Sequence, residues 1–348
     1  MGLFSLLSSK SVVPTFLKSN QGTAEIVMDV SSGRILHQAN ANEKMFMAST
    51  TKILTAIVII ENCNINDEVE ITNKTVGIEG SSIYLRAGEK LSVKELLFGL
   101  MLRSGNDCAE TLAVHCSGTI EDFALLMNQT AYKIGAKNSN FINPHGLHDD
   151  NHYTTAYDLA KISCYAMKND IFREIVSTKR VKIPNGNNEC PRVLINKNKM
   201  LYNVENCTGI KTGFTKKAGR CLVSSVKKDG LELVCVVLNC GPMYETSTSL
   251  INQCFSQYKP IKILESDNVF DFVDFDDLKE PVAVCIEDDI ILPLKIGEES
   301  KIRIESEYYS SDRLNQNKSN EIGIVKIYIE NDLIFSAKLF SILDINNR

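Results

Sequence analysis

The feature that most restricts the fold is a change of hydrophobic periodicity before residue 260, from strand to helix and back to strand. Residues 23–38 alternate around a turn at Ser31-Ser32-Gly33, which predicts a β-hairpin at a sheet edge. Residues 221–225 and 233–238 are β-type runs joined by a turn at Lys228-Asp229-Gly230. Because strands enclose a helical middle, we expect the terminal strands to share one sheet in an α+β fold.

Several apolar segments in the middle of the chain carry helix signals. Residues 49–61 are densely apolar and contain neither Gly nor Pro, as a buried helix would. Thr119 precedes Asp122, and Thr155 precedes Asp158, with the spacing of capped helix starts. The predicted helices lie at residues 49–61, 93–102, 107–114, 119–135, 159–167 and 250–258.

The pattern becomes strand-like toward the C-terminus. Pro260 and a mixed polar stretch at 259–267 follow the last predicted helix and indicate a boundary. Beyond them, β-branched runs and a turn at Asn331-Asp332 predict a small all-β domain. The predicted strands lie at residues 282–286, 290–294, 302–304, 322–329 and 333–340.

These patterns divide the chain into three parts. We predict an N-terminal segment at 1–22, an α+β domain at 23–260 and a β-rich domain at 261–348. Residues 310–320 are predicted to form a flexible loop.

Composition argues against several classes of function. The chain has 348 residues and a formal net charge of -5, without a block of Lys or Arg. This disfavours a nucleic-acid partner, because phosphate binding needs a concentrated basic face. The 11 cysteines include no CxxC pair. We therefore predict neither a disulfide framework nor a structural metal site, and we expect no cofactor.

Membrane and export signals are also weak. No apolar run is long enough to cross a bilayer, so we expect no transmembrane anchor. Residues 3–7 are apolar except for Ser5, but no basic residue precedes them, so an export signal is not evident.

Three short motifs bear chemically useful side chains, and the first is Ser49-Thr50-Thr51-Lys52. Ser and Lys three residues apart lie on one helix face, one turn removed. The positive end of a helix dipole favours an alkoxide at Ser49, and a buried Lys52 held neutral by nearby cations can take the serine proton. Taken alone, this spacing often occurs by chance, and an exposed Lys one turn after a Ser is usually only solvated.

The second motif, Ser104-Gly105-Asn106, lies in a predicted turn between two helices. The Ser104 hydroxyl can relay a proton to a leaving amine, and the Asn106 amide can hold a substrate carbonyl. Taken alone, Ser-Gly-Asn is ordinary turn chemistry.

The third motif is Lys211-Thr212-Gly213, followed by Phe214 and a β-type run. On a strand beside the nucleophile, Lys211 and Thr212 supply a positive charge and a hydroxyl for a substrate carboxylate. Gly213 leaves room for a peptide backbone to approach. Taken alone, the motif also suits any strand edge that contains Gly.

SxxK, SxN and KTG in this order match the signature of class A β-lactamases and penicillin-binding proteins. The chain resembles the low-molecular-mass D-alanyl-D-alanine carboxypeptidases, serine peptidases related to penicillin-binding protein 5 and to sporulation enzymes of Gram-positive bacteria. The resemblance covers about residues 23–258 and is weaker in the β-rich part. It extends to Met47-Ala48, 80–85, Leu102-Arg103, Asp107, 143–147 and 208–210.

The resemblance implies a β-lactamase/transpeptidase-like domain, an antiparallel sheet with a helical cluster, followed by a small all-β domain. It implies a carboxypeptidase that removes the terminal D-alanine from peptidoglycan stem peptides through an acyl-serine intermediate, with β-lactams as inhibitors. It also implies a location on the cell-wall side of the membrane.

The resemblance further implies a role for each motif residue. Ser49 would attack the carbonyl of the penultimate D-alanine, with Lys52 as general base. Backbone N–H groups of Ser49 and Phe214 would form the oxyanion hole. Ser104 and Lys211 would help to pass the proton to the departing D-alanine, and water would then hydrolyse the acyl-enzyme.

The chain departs from the family pattern in two places. Some relatives carry an arginine after the second strand beyond KTG, where it grips the terminal carboxylate. Here residues 241–244 read Gly-Pro-Met-Tyr, which leaves that contact to Lys211 and Thr212. Many relatives end in an amphipathic anchoring helix, whereas this chain ends at Arg348 soon after the last predicted strand, so we expect no such anchor.

Other functions compete with this interpretation. His145, His148 and His152, with Asp149 and Asp150 between them, resemble the metal ligands of a zinc D,D-peptidase, although the serine family packs this segment as a structural loop. A β-lactamase shares the motifs but needs a group to activate the deacylating water, and no such Glu is identified. A non-catalytic protein of the same fold could bind penicillin or wall peptides. The motifs are compatible with a monomeric or a cross-linked peptide as the substrate. They are equally compatible with a vegetative or a sporulation role.

Overall fold

The computed structural model describes residues 22–186, 190–266, 268–275, 280–309 and 320–342. The predicted N-terminal segment, apart from Gly22, lies outside the described residues. Residues 310–319 of the predicted loop also lie outside them.

The described helices and strands follow each other in a β–α–β order. The helices are α1 (Lys52–Asn62), α2 (Val93–Leu102), α3 (Asn106–Ser117), α4 (Ile120–Ile134), α5 (Ala156–Ala166), α6 (Asp170–Ser177), α7 (Met200–Asn203) and α8 (Met243–Gln257). The strands are β1 (Ala24–Asp29), β2 (Ile35–Ala39), β3 (Glu68–Glu70), β4 (Lys90–Ser92), β5 (Arg180–Ile183), β6 (Arg192–Ile195), β7 (Cys207–Thr215), β8 (Gly219–Lys228), β9 (Leu231–Leu238), β10 (Tyr258–Leu264), β11 (Asp271–Val273), β12 (Val282–Cys285), β13 (Ile290–Lys295), β14 (Ile302–Tyr308), β15 (Glu321–Ile329) and β16 (Asp332–Ser341).

A five-stranded antiparallel sheet holds the two ends of the α+β region together. Its order is β2-β1-β9-β8-β7, and Ala24 of β1 lies opposite Leu238 of β9. The prediction that the terminal strands share one sheet is therefore confirmed, with the predicted hairpin at one edge and β7 at the other.

Strand β9 explains why the sheet has two packed faces. All of its residues are buried. Val234, Val236 and Leu238 face the cluster that includes the central helices, whereas Leu233 and Cys235 face the cluster that includes α8. Because helices cover both faces, residues 233–238 of β9 form a continuous apolar run instead of an alternating one.

The predicted helix starts are confirmed by their caps. The Thr119 side chain accepts a hydrogen bond from the Asp122 N–H, and the Thr155 side chain accepts one from the Asp158 N–H. Helix α4 then ends at Gly135, whose φ of 90° suits a residue without Cβ.

The closing helix differs from its prediction, since α8 begins at Met243 and not at residue 250. Its first two turns are rich in Ser and Thr, which are weak helix formers in isolation. Packing outweighs this propensity, because Met243, Ser247 and Leu250 form a buried face against the main sheet. Tyr258, the predicted helix end, is instead the first residue of β10.

Apart from a 3-10 turn at Glu299–Lys301, the regular elements of the described C-terminal part are all β-strands. A five-stranded sheet has the order β11-β12-β16-β15-β14, and β10 pairs with β13. Apolar side chains from both sheets, including Val284, Leu292 and Val325, share one hydrophobic cluster. Strand β10 occupies most of the predicted boundary at 259–267, and the division at residue 260 stays a prediction.

Helices of membrane-spanning length and apolarity are absent from the part of the chain that the structure describes.

Candidate active site

Ser49 lies in a 3-10 turn, Ala48–Thr51, that leads directly into α1. The α-helix proper begins at Lys52 and not at Ser49 as the sequence predicted, because Ala48 has a φ of 48° and the chain enters the helix through a tighter turn. The spacing of the motif still brings the two side chains together. Lys52 Nζ lies 3.2 Å from Ser49 Oγ.

The Lys52 amine is fully buried and has two further oxygen neighbours. It donates to Asn106 Oδ1 at 2.8 Å and to the backbone oxygen of His145 at 2.6 Å. Burial and the nearby Lys211 charge lower the pKa of Lys52 well below its ordinary value. A neutral amine has two N–H groups and one lone pair. Its hydrogens match the two carbonyl oxygens, so the lone pair is left for the Ser49 proton.

The Ser104 turn connects α2 to α3 and lies in the site. Ser104 is buried with a φ of 63°, and this left-handed residue lets the chain reverse before α3 begins at Asn106. Besides holding Lys52, Asn106 donates through Nδ2 to the Glu79 carbonyl at 2.5 Å. Its backbone N–H donates to Ser81 O at 2.7 Å. Asn106 therefore ties the first motif to residues 79–81.

The carboxylate of Asp107 fixes the rest of that loop. It accepts hydrogen bonds from the Ser82 hydroxyl at 2.5 Å, from Ile83 N at 3.1 Å and from Leu85 N at 3.1 Å. Tyr84, between them, is 82% exposed with a φ of 61°. Segment 80–85 and Asp107, two of the resemblance segments, thus form one wall beside the Ser104 turn.

Strand β7 brings the third motif against the turn that carries Ser49. An ideal Cβ on Gly213 would lie 3.0 Å from Met47 O and 3.1 Å from Ser49 N, so the absence of a side chain permits this approach. The Lys211 side chain is buried on the same side of the strand, and its amine donates to Thr212 O at 3.0 Å. Phe214 is exposed.

The pKa of Lys211 is low for a lysine. Burial, with a contribution from the Lys197 charge, lowers the pKa of Lys211 to about 7. Lys211 in turn depresses the pKa of Lys52. Three lysines therefore share one electrostatic environment, which favours a neutral Lys52 next to a Lys211 that can still be charged near neutral pH.

Residues 143–147, Asn-Pro-His-Gly-Leu, pack as a structural loop against the Ala48–Thr51 turn, which carries Ser49. The Thr55 hydroxyl donates to Pro144 O at 2.7 Å. Gly146 has a φ of 85°, and a Cβ there would fall 1.9 Å from Ala48 O. Only glycine fits at this contact, which sets the position of the turn that carries Ser49.

The neighbouring histidines have separate structural contacts. His145 Nε2 lies 3.3 Å from Glu110 Oε1, and His148 packs edge-on against Phe46. Burial lowers the pKa of His152 to about 3. Its Nδ1 accepts from Ile142 N at 3.0 Å, so Nε2 carries the proton and donates to Thr51 Oγ1 at 2.8 Å.

In the described ranges, no three His, Cys, Asp or Glu side chains come together as metal ligands would.

The motif residues thus meet at one place by different means. Hydrogen bonds join Ser49, Lys52 and Asn106. Gly213 directly contacts the backbone of the Ser49 turn, and the charge of Lys211 lowers the pKa of Lys52. Ser104 is tied to them through the backbone, two residues before Asn106. Thr212 and Phe214 follow Lys211 along β7.

Sequence reasoning missed two contributors to the site. The backbone oxygen of His145 and the charge of Lys197 both act on the lysine pair. The family resemblance includes residues 143–147, and this was the sequence signal that could have pointed to the His145 backbone oxygen. Lys197 lies in no motif, and its effect depends on tertiary placement alone.

Comparisons with known proteins agree with this geometry. Residues 12–241 match the D-alanyl-D-alanine carboxypeptidase family. The chain belongs to this family. It is 31% identical over 249 residues to D-alanyl-D-alanine carboxypeptidase DacF of Bacillus subtilis and 32% identical over 263 residues to DacC of Escherichia coli. These matches cover 69% and 71% of the chain but only 64% of each relative.

Solved structures of the family confirm the predicted two-part fold. Penicillin binding protein 5 from Haemophilus influenzae superposes with a TM-score of 0.75 at 26% identity, covering 96% of this chain and 99% of that one. D-alanyl-D-alanine carboxypeptidase DacD from Francisella tularensis has the same fold, with a TM-score of 0.69 at 23% identity and 97% coverage of both chains. The chain therefore has a transpeptidase-type domain followed by an all-β domain.

Proposed function

We propose that this chain is a serine D-alanyl-D-alanine carboxypeptidase that removes the terminal D-alanine from peptidoglycan stem peptides. The observation that carries the proposal is the position of the buried Lys52 amine. It lies 3.2 Å from Ser49 Oγ, and two carbonyl oxygens engage its hydrogens. This arrangement activates a serine without a histidine or a metal ligand.

In the acylation step, Ser49 Oγ attacks the carbonyl carbon of the penultimate D-alanine while Lys52 takes the hydroxyl proton. The backbone N–H groups of Ser49 and Phe214 donate to the developing oxyanion. When the peptide bond breaks, the amine of the terminal D-alanine receives a proton through Ser104, with Lys211 assisting. Water then attacks the ester carbonyl while Lys52 takes its proton, and Lys52 returns that proton to Ser49 Oγ as the ester bond breaks.

The edge of β7 offers the binding surface for the peptide. Strand β7 pairs with β8 on one side and ends the main sheet, so its other edge can bind an extended chain. The Lys211 charge and the Thr212 hydroxyl supply the carboxylate contact. The Asn106 amide keeps one N–H beyond its bond to Glu79, and this group is assigned to a substrate carbonyl.

Two further properties accompany this function. β-Lactams would acylate Ser49 and remain bound, because the acyl group blocks the approach of water. The family is extracytoplasmic, and we assign this chain the same location and the same peptidoglycan peptides as partners.

The test is release of D-alanine from a tripeptide that ends in D-Ala-D-Ala, compared with hydrolysis of a chromogenic cephalosporin. We expect D-alanine release by the native chain, none by Ser49→Ala, and only slow cephalosporin turnover. Fast cephalosporin turnover would indicate a β-lactamase instead. Acylation by penicillin without D-alanine release from any peptide would indicate a binding protein that has lost turnover.

A further inference from the structure

Cys63 and Cys116 lie at the far ends of the two helices that carry the first two motifs. Cys63 follows the last residue of α1, and Cys116 is in the last turn of α3. Lys52 and Asn106 begin the same two helices. At a rise of about 1.5 Å per residue, the cysteine pair is roughly 16 Å from the catalytic groups along α1.

Helices α1 and α3 pack against each other, and Lys52 at the start of α1 donates to Asn106 at the start of α3 at 2.8 Å. Cys63 and Cys116 follow 11 and 10 residues later, so the two thiols lie at the same level of the helix pair, and each perturbs the pKa of the other. Both side chains pack against the main hydrophobic core. Both are half-buried, so small reagents can reach them. Most other cysteines of this domain are buried, such as Cys108, Cys164 and Cys221.

Their proximity makes the two thiols chemically unequal. Cys63 lowers the pKa of the Cys116 thiol to about 7, and Cys116, together with burial, raises the pKa of Cys63. A partly exposed thiolate beside a second thiol has the arrangement of an attacking and a resolving cysteine.

We propose that Cys63 and Cys116 form a disulfide that joins the C-terminal ends of α1 and α3. The oxidant is a small-molecule or protein disulfide, of the kind found in extracytoplasmic compartments. The Cys116 thiolate attacks one sulfur of that oxidant and expels the other half as a thiolate. The Cys63 thiol then loses its proton and attacks the Cys116 sulfur, releasing the second half. Two protein thiols are oxidised to one disulfide, and the oxidant is reduced to two thiols.

This single bond is compatible with the remaining cysteines staying reduced. Cys190 is exposed and can react with an oxidant, which makes it the useful control. The inference is independent of the proposed enzymatic function, because its readout is a covalent bond and not turnover.

The experiment treats the folded chain with oxidised glutathione, blocks free thiols with N-ethylmaleimide and digests the protein without reduction. We expect a cross-linked peptide pair containing Cys63 and Cys116, lighter than the sum of the two thiol peptides by two hydrogen atoms. The pair should vanish in Cys63→Ser and Cys116→Ser, and it should persist in the matched control Cys190→Ser.

Two results would overturn the inference. One is recovery of both cysteines as separate maleimide adducts while Cys190 carries glutathione. The other is a glutathione adduct on Cys116 that Cys63 never displaces.

Discussion

Asn106 Oδ1 accepts a hydrogen bond from Lys52 Nζ at 2.8 Å, so a side chain of the second motif holds the amine of the first. An Asn106→Asp substitution keeps the shape and places a negative charge at this contact. That charge raises the pKa of Lys52, so its ammonium form persists to higher pH and cannot take the Ser49 proton. We expect acylation by a fluorescent penicillin at neutral pH to slow by roughly 10²-fold, with the acid limb of the pH profile moved upward.

The matched control is Asn151→Asp, the same change on an exposed loop residue. It should leave the profile in place. An Asn106→Asp variant with the native profile would show that this hydrogen bond does not govern Lys52.

Lys197 should set the pH range of the reaction without contacting the substrate. Its charge lowers the pKa of both Lys52 and Lys211. Activity needs Lys52 neutral, so it rises as pH passes the lowered pKa of Lys52. It also needs Lys211 charged, so it falls as pH passes about 7, the pKa of Lys211. Lys197→Gln removes the shared positive charge and should move both limbs to higher pH, as measured by kcat/KM for D-alanine release. Lys133→Gln, at the exposed end of α4, should move neither.

A methyl group at Gly213 should disturb the nucleophile more than the fold. The new Cβ of Gly213→Ala would press on Met47 O and Ser49 N at 3.0 and 3.1 Å. A shift of the nucleophile by a fraction of an ångström is expected to slow acylation by at least about 10-fold. At Gly241 no atom lies within 4 Å of an added Cβ, so Gly241→Ala is the control and should acylate normally. Equal rates in the two variants would contradict the close contact between β7 and the Ser49 turn.

The buried pair of Glu89 and Arg192 should contribute strongly to stability. Arg192 Nη2 donates to Glu89 Oε2 at 2.9 Å and to Tyr84 O at 3.0 Å, which fastens the β5–β6 hairpin to the wall beside the site. Arg192→Met leaves a buried carboxylate without its cation, and we expect a loss of about 3 kcal/mol in the free energy of unfolding by urea. Lys301→Met, which removes an exposed partner of Glu330, should leave the unfolding midpoint unchanged.

The same pair makes a pH-dependent contribution. Burial opposes ionisation of Glu89, but its hydrogen bonds from Arg192 and from backbone N–H groups hold its pKa below the ordinary value. A lowered carboxyl pKa gives stability that is present above the ordinary value and is lost as pH falls through the lowered one. The difference between the native chain and Arg192→Met should therefore shrink in acid. A difference that stays constant down to pH 3 would contradict this assignment.

Much of the architecture follows from local sequence signals. Thr119 and Thr155 are read correctly as helix caps because a cap needs only a side-chain oxygen and the N–H three residues on. Ser49 and Lys52 meet because their spacing equals about one helical turn. The start of α8 was misplaced because its Ser- and Thr-rich first turns are held by packing on the sheet, which no local pattern reveals.

The residues of the candidate site could be predicted from the sequence, but the burial and charges that set their pKa values could not. The motifs identify Lys52 and Lys211, yet the lowered pKa of each depends on burial and on Lys197, which lies in no motif. Likewise, the sequence marks Gly146 as part of a family segment, but only the structure shows that it touches the Ala48 backbone.

The central claim is that Lys52 activates Ser49 as the nucleophile, and the most direct test is to locate a penicillin adduct. The protein is incubated with a fluorescent penicillin, with and without EDTA, and the labelled peptide is identified by mass spectrometry. We predict a stable adduct on Ser49 that is unaffected by EDTA and absent from Ser49→Ala. No adduct, or an adduct that survives Ser49→Ala, would contradict the account.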